Sequence, residues 1–151
     1  MQNLSQVEKS VMQILILKDR FPGLNEVIAA SKAHYGAYSS MKRSVTLSVA
    51  AQATAARLKP HQDRTIIEFH WYEKNKRRDP DNIRHGAKYI LDGLVEAGIL
   101  QDDSQKYIGG FIDYFNIDKS NPHVEVRIYE MSEVTGFSPH SSDQIQGGSN
   151  D

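Results

Sequence analysis

The stretch Arg77-Arg78-Asp79-Pro80-Asp81-Asn82 concentrates groups that could do chemistry. Two carboxylates stand one residue apart, joined by a proline. Four cations (Lys74, Lys76, Arg77 and Arg78) occupy the five positions before them. Pro80 fixes its own φ and biases Asp79 towards an extended backbone, so the two acids diverge unless the chain bends there. A second acidic pair, Asp102-Asp103, follows further along. Clustered carboxylates repel one another and hold protons unless a cation compensates them. Mg²⁺, with Mn²⁺ as a substitute, takes oxygen ligands, keeps several waters and binds through one or two carboxylates plus substrate phosphate. Such an ion can activate water and stabilise a leaving oxygen in phosphodiester hydrolysis. The neighbouring Lys74, Lys76, Arg77 and Arg78, with Lys106 beyond the second pair, would neutralise backbone phosphates rather than read bases. An acidic centre with a basic surround is a nuclease pattern.

The elements that must position these groups are legible in the pattern. Residues 11–17 (VMQILIL) form a nearly continuous apolar run, which predicts a buried strand. Phe21-Pro22-Gly23 punctuates the chain. An Ala-rich helical segment follows over residues 25–58, with Asn25 as its cap and Tyr35-Gly36 the place where it could break. Pro60 closes it. Residues 65–72 alternate, with Ile67, Phe69 and Trp71 on one face and Glu68, His70 and Tyr72 on the other, a half-buried strand. A second helix is expected from Asp81 or Asn82 to Ala97, burying Ile83, Ala87, Ile90, Leu91 and Leu94, with Gly98 as its stop. On its opposite face Asp81, His85, Lys88 and Asp92 share one stripe, and Lys88 there could reach a phosphate or developing charge. Strands are expected over residues 107–117 and 123–129. The turn residues Asp118 to Pro122 between them suggest a hairpin. The sequence therefore predicts one α+β domain over residues 1–131, in β-α-β-α-β-β order, with a small mixed sheet packed by helices. Residues 132–151, poor in large apolar side chains, are expected to form a disordered tail.

Composition bounds the rest. With 151 residues, 39% hydrophobic and 25% charged, the chain can bury one ordinary core. A net charge of −1 means that any basic surface must be local. The lack of cysteine excludes disulfides, thiolate zinc sites and a thiol nucleophile, and suits a reducing cytoplasm. No apolar run is long enough for a membrane span, and the amino terminus lacks the pattern of a signal peptide. An EF-hand would need an acid or amide where Ile83 stands.

Each feature also has a plain explanation. Asp-Pro-Asp-Asn alone is equally well read as a helix cap, and Asp102-Asp103-Ser104 alone is better read as a turn. A basic run is more often a solvated loop, and Lys88 and His85 more often exposed helix residues. The aromatic group Phe111, Tyr114 and Phe115 reads as core.

Taken together, in order and spacing, the motifs are more specific. Arg78-Asp79-Pro80-Asp81-Asn82, then Leu91-Asp92-Gly93-Leu94, then Ala97-Gly98-Ile99-Leu100-Gln101-Asp102-Asp103-Ser104-Gln105 resembles the RusA family of Holliday-junction resolvases over residues 76–106. The resemblance implies a RusA-like fold and a homodimeric, Mg²⁺-dependent endonuclease that makes paired cuts in four-way DNA during recombination and repair. It implies catalytic and metal-binding roles for Asp79, Asp81 and Asp103, with Asp102 beside them, and an essential lysine at Lys88. The segment between Asn82 and Lys88 is about three residues longer than the family pattern, close to one helical turn. His85 therefore competes for the lysine's place. The family's proline-rich amino-terminal motif is absent. Two alternatives remain: a nuclease for other branched or flapped DNA, and a junction-binding module without catalysis.

Overall fold

In the computed structural model, residues 12–18, 20–33 and 35–131 are described. The order is β1 (Met12–Leu17), α1 (Leu24–Ala33), α2 (Tyr35–Ala55), β2 (Thr65–Glu73), α3 (Pro80–Arg84), α4 (Ala87–Glu96), β3 (Ile108–Ile117) and β4 (His123–Glu130). The α+β expectation holds. The expected tail, the amino-terminal segment and Val11 of the first strand lie outside the described residues. Helix is described up to Ala33 and again from Tyr35, and His34, next to the expected break at Tyr35-Gly36, lies outside the described residues.

The four strands form one mixed sheet in the order β1-β4-β2-β3. Alternation decides its faces. Leu15, Leu17, Ile67, Phe69, Trp71, Val124, Val126 and Ile128 are buried and join Val49, Ala53, Ile90 and Leu94 of the helices in one core. The other face carries Glu68, His70 and Tyr72 of β2 beside Glu125 and Arg127 of β4, all half-buried. Glu68 contacts His70, while Arg127 bonds Glu125 at 3.1 Å.

β3 and β4 do not form a hairpin, contrary to the expectation. β3 pairs parallel to β2, whereas β4 pairs antiparallel to β2 on its other side and also to β1. The turn itself is real: Asp118 Oδ1 accepts from Asn121 N at 3.1 Å. A turn signal fixes the local bend but not the neighbour of the strand that follows. Here Asp118 N bonds Glu73 O, and the chain crosses over the end of β2.

The second helix is also not continuous. It stops at Arg84 and restarts at Ala87. At the joint Gly86, Lys88 and Tyr89 donate to residues three back, the tight 3₁₀ pattern, instead of four. Gly86 sits against Phe21, where a β-carbon would lie 2.7 Å from Phe21 Cβ. At the far end Gly98 adopts φ 75°, with Ile99 N donating to Leu94 O and Gly98 N to Val95 O, a Schellman cap. The α4 axis packs closely on α2, since a β-carbon at Gly93 would fall 2.5 Å from Val49 Cβ.

Candidate functional site

Within the Arg78–Asn82 motif, alternate side chains do different jobs. Arg78 is half-buried. Its Nη1 donates to Glu73 Oε1 at 2.9 Å and its Nη2 to Phe21 O at 3.1 Å. Asn82 Oδ1 accepts from Asn25 N at 3.2 Å. These two residues therefore clamp the end of β2 and the start of α3 onto Phe21 and the first turn of α1. Gly23 permits the approach, because a β-carbon there would lie 2.4 Å from Asn82 Oδ1 and 2.7 Å from Arg78 Nη2.

Asp79 and Asp81 are left out of this clamp. Asp79 stands at the helix N-cap with φ −73° and ψ 153°, the extended backbone that the following proline imposes. Its side chain makes no capping hydrogen bond. The plain explanation of the motif, a capping aspartate, is therefore not realised. Asp79 and Asp81 are both exposed. Among the described residues neither forms an ion pair.

Cations gather beside them. A cavity of about 430 Å³ at the end of β2 is lined by Lys18, Arg20, Lys74, Arg77 and Arg78, with Glu73 the only carboxylate among its lining residues. Arg20 is partly neutralised from outside the cavity. It bonds Glu26 at 2.7 Å, and that hydrogen bond holds the Glu26 carboxyl below its ordinary range. Lys74, Lys76 and Arg77 are exposed. Of the basic run, Arg78 is committed to the fold and the other three face solvent.

Asp102 and Asp103 are not brought to this place. The loop they occupy ends at the start of β2, where Thr65 N donates to Tyr107 O at 2.8 Å and Arg64 Nε to Gln105 O at 3.0 Å. Asp79 follows the other end of β2, anchored through Arg78 and Glu73. The strand between them has nine residues and spans about 26 Å at roughly 3.3 Å per residue, with the two acidic pairs attached at its opposite ends. Accordingly, among the described residues no three His, Asp or Glu side chains are grouped to hold a metal ion. Asp102 and Asp103 instead share a second cavity of about 430 Å³ with Asp92, Glu96, Lys42 and Arg43. Lys106 stands at this same end, its Nζ 5.3 Å from the Tyr107 ring centre.

The helix stripe is altered by the break at His85. Lys88 is exposed, with Nζ 3.6 Å from Asp92 Oδ1. His85 is half-buried and meets Tyr89 edge-on at 5.9 Å. Of the two, Lys88 is the more exposed.

Two features here had no clear signal in the sequence. Asp113, on β3, accepts from Trp71 Nε1 at 2.8 Å and from Arg84 Nε at 2.7 Å, tying α3 to the sheet. Phe111, Tyr114 and Phe115, expected in the core, are exposed.

Compared with protein-family models and with curated proteins, the chain matches none. No helix among the described residues is long and apolar enough to cross a membrane.

Proposed function

We propose that this protein is a metal-dependent endonuclease that cuts branched DNA, with the four-way junction as its substrate, as the RusA-like motif order implies. The observation that carries this reading is the state of Asp79. A residue placed to cap a helix leaves its carboxylate uncapped and exposed, one residue from a second exposed carboxylate and directly after Arg77 and Arg78, which line a cationic cavity. Uncompensated carboxylates that follow a run of exposed cations suit a divalent ion and a phosphodiester.

Asp79 and Asp81 would hold the ion, which is Mg²⁺ or Mn²⁺ by the oxygen-only chemistry of the donors. Bound there, the ion would activate water and neutralise the leaving oxygen. The chain's own residues position the strand. Lys74, Lys76 and Arg77 neutralise backbone phosphates. Arg78 and Asn82 keep the two aspartates at a fixed bend. Lys88 supplies a permanent positive charge for a phosphate oxygen. A two-fold substrate is served by two equivalent sites, which favours a homodimer. A cysteine-free chain suits a reducing cytoplasm.

One observation favours a second reading, a junction-binding module without catalysis: Asp103 lies away from Asp79 and Asp81 within the chain. Incubation with a synthetic four-way junction and with linear duplex, each with and without Mg²⁺, separates the two. Mg²⁺-dependent cutting of the junction supports the enzyme. Tight, uncut junction in every condition supports the binding module.

A further inference from the structure

We propose that the free edge of β3 is the surface on which a second copy of this chain docks, antiparallel and about a two-fold axis. Among the described residues β3 is paired only on its β2 side, so along its outer side the backbone donors and acceptors lack strand partners there. Soluble proteins protect such edges with charge, proline or short length. This edge has none of these. It runs ten residues, Ile108–Ile117, and its one carboxylate, Asp113, is turned inward to Trp71 and Arg84.

Its side chains are apolar on both faces. Phe111, Ile112, Tyr114, Phe115 and Ile117 are 40–47% exposed, half of the ten large apolar residues found exposed among the described residues. By the register with β2, Phe111 and Phe115 lie on the helix-covered face beside Ile67 and Trp71, and Ile112 and Tyr114 on the other. A ligand on one face would cover only part of this set. A strand laid against the edge covers both faces and meets the backbone groups as well.

The occupant is chosen by the charges at the two ends. One end of β3 lies beside the end of β2, which leads into exposed Lys74, Lys76 and Arg77. The other end follows the loop of residues 101–107, where exposed Asp102 and Asp103 outnumber its one cation, Lys106, and form no ion pair among the described residues. Antiparallel pairing reverses one copy against the other. It sets the cationic end of each protomer beside the acidic end of its mate, twice, by symmetry. The same reversal carries Asp102 and Asp103 of one copy towards Asp79 and Asp81 of the other. Resting on the reading above, each site is then completed in trans, which the single chain does not achieve.

The chain contains no cysteine, so single cysteines introduced along the strand report the interface directly. Cysteines placed in turn at Phe111, Ile112, Tyr114 and Phe115, and at Ile14 and Ile16 on the opposite edge as controls, are oxidised in the full-length protein. Disulfide-linked dimer at one or more β3 positions and none on β1 is expected. Tyr114→Lys should convert a dimer of twice 17.1 kDa to a 17.1 kDa monomer in sedimentation. A wild-type protein that sediments as a monomer, or links through β1 instead, overturns the proposal.

The trans arrangement is tested by mixing. An Asp79→Asn/Asp81→Asn copy and an Asp103→Asn copy, each inactive alone, should regain junction cutting when co-refolded, since one mixed site is whole. An inactive mixture beside an active wild type and β3 cross-links overturns the trans contribution. If the wild type itself fails to cut while β3 cross-links, the nuclease reading falls and the interface stands.

Discussion

The Arg78 guanidinium holds Glu73 through Nη1 at 2.9 Å and reaches past it to the Phe21 carbonyl at 3.1 Å. Within a run of four cations, this one is structural. Removing it would leave a mostly buried Glu73 without its partner and free the Phe21 carbonyl. Arg78→Ala should therefore lower stability by about 1–3 kcal/mol in denaturant unfolding. Lys76→Ala and Arg77→Ala should leave stability unchanged. Each should weaken junction binding and lower its salt slope by about one unit per lost phosphate contact, read from affinities across a salt series.

Gly93 is where α4 lies against α2. A methyl group there would meet Val49 at 2.5 Å and the Thr46 carbonyl at 3.0 Å. Gly93→Ala gains helix propensity but overpacks the crossing, so the net effect should be a loss of roughly 1–3 kcal/mol. Thermal unfolding of the variant checks it. An unchanged midpoint would show that the helices separate freely.

The Tyr89 ring is buried, its hydroxyl has no hydrogen-bond partner among the described residues, and burial pushes its pKa up to about 12. The unfolded chain therefore releases this proton before the folded one does. Stability from this group is intact below pH 10 and falls as pH rises from about 10 to 12. Tyr89→Phe should raise stability at neutral pH by about 1 kcal/mol, since an unpaired buried hydroxyl is removed. It should also reduce the alkaline loss. Denaturant unfolding at pH 7 and pH 11 measures both.

Lys88 and His85 compete for the role of helix cation. Lys88 is exposed near Asp92, while His85 packs against Tyr89. Lys88→Ala should abolish most cleavage and spare binding, with His85→Ala mild in both. Single-turnover cutting of a saturated junction distinguishes them. A dead His85 variant beside an active Lys88 variant would reverse the assignment.

Much of the fold was legible because burial follows simple periods. Ile67, Phe69 and Trp71 alternate and are buried, and Gly98 ends its helix with the positive φ that glycine accepts readily. Strand neighbours were not legible. The turn at Asp118 gives no information on whether β4 returns to β3 or passes to the far side of β2. The helix break at His85-Gly86 has no proline to announce it. It follows from Gly86 fitting against Phe21, a contact between residues distant in sequence. The resemblance implied metal-binding roles for Asp79, Asp81 and Asp103 together, which needs their convergence. Helical rise argues against it within one chain, because a helical path of α3 and α4 moves the backbone roughly 1.5 Å per residue away from Asp79. What the sequence did reveal at the site is the identity of its exposed acids and bases, since these need no partner to be recognised.

By the proposed function, Asp79 and Asp81 serve a metal-dependent cut in branched DNA. Its most direct measurement is cleavage of a labelled synthetic four-way junction by the wild type and by Asp79→Asn, at matched protein concentration, with Mg²⁺ and with chelator. Paired cuts by the wild type only with Mg²⁺ are expected, with a loss of at least about a hundredfold in Asp79→Asn and junction affinity retained, on the scale of one lost group that stabilises charge in the transition state. Equal cutting by the two proteins, or no cutting by the wild type with Mg²⁺, would contradict it.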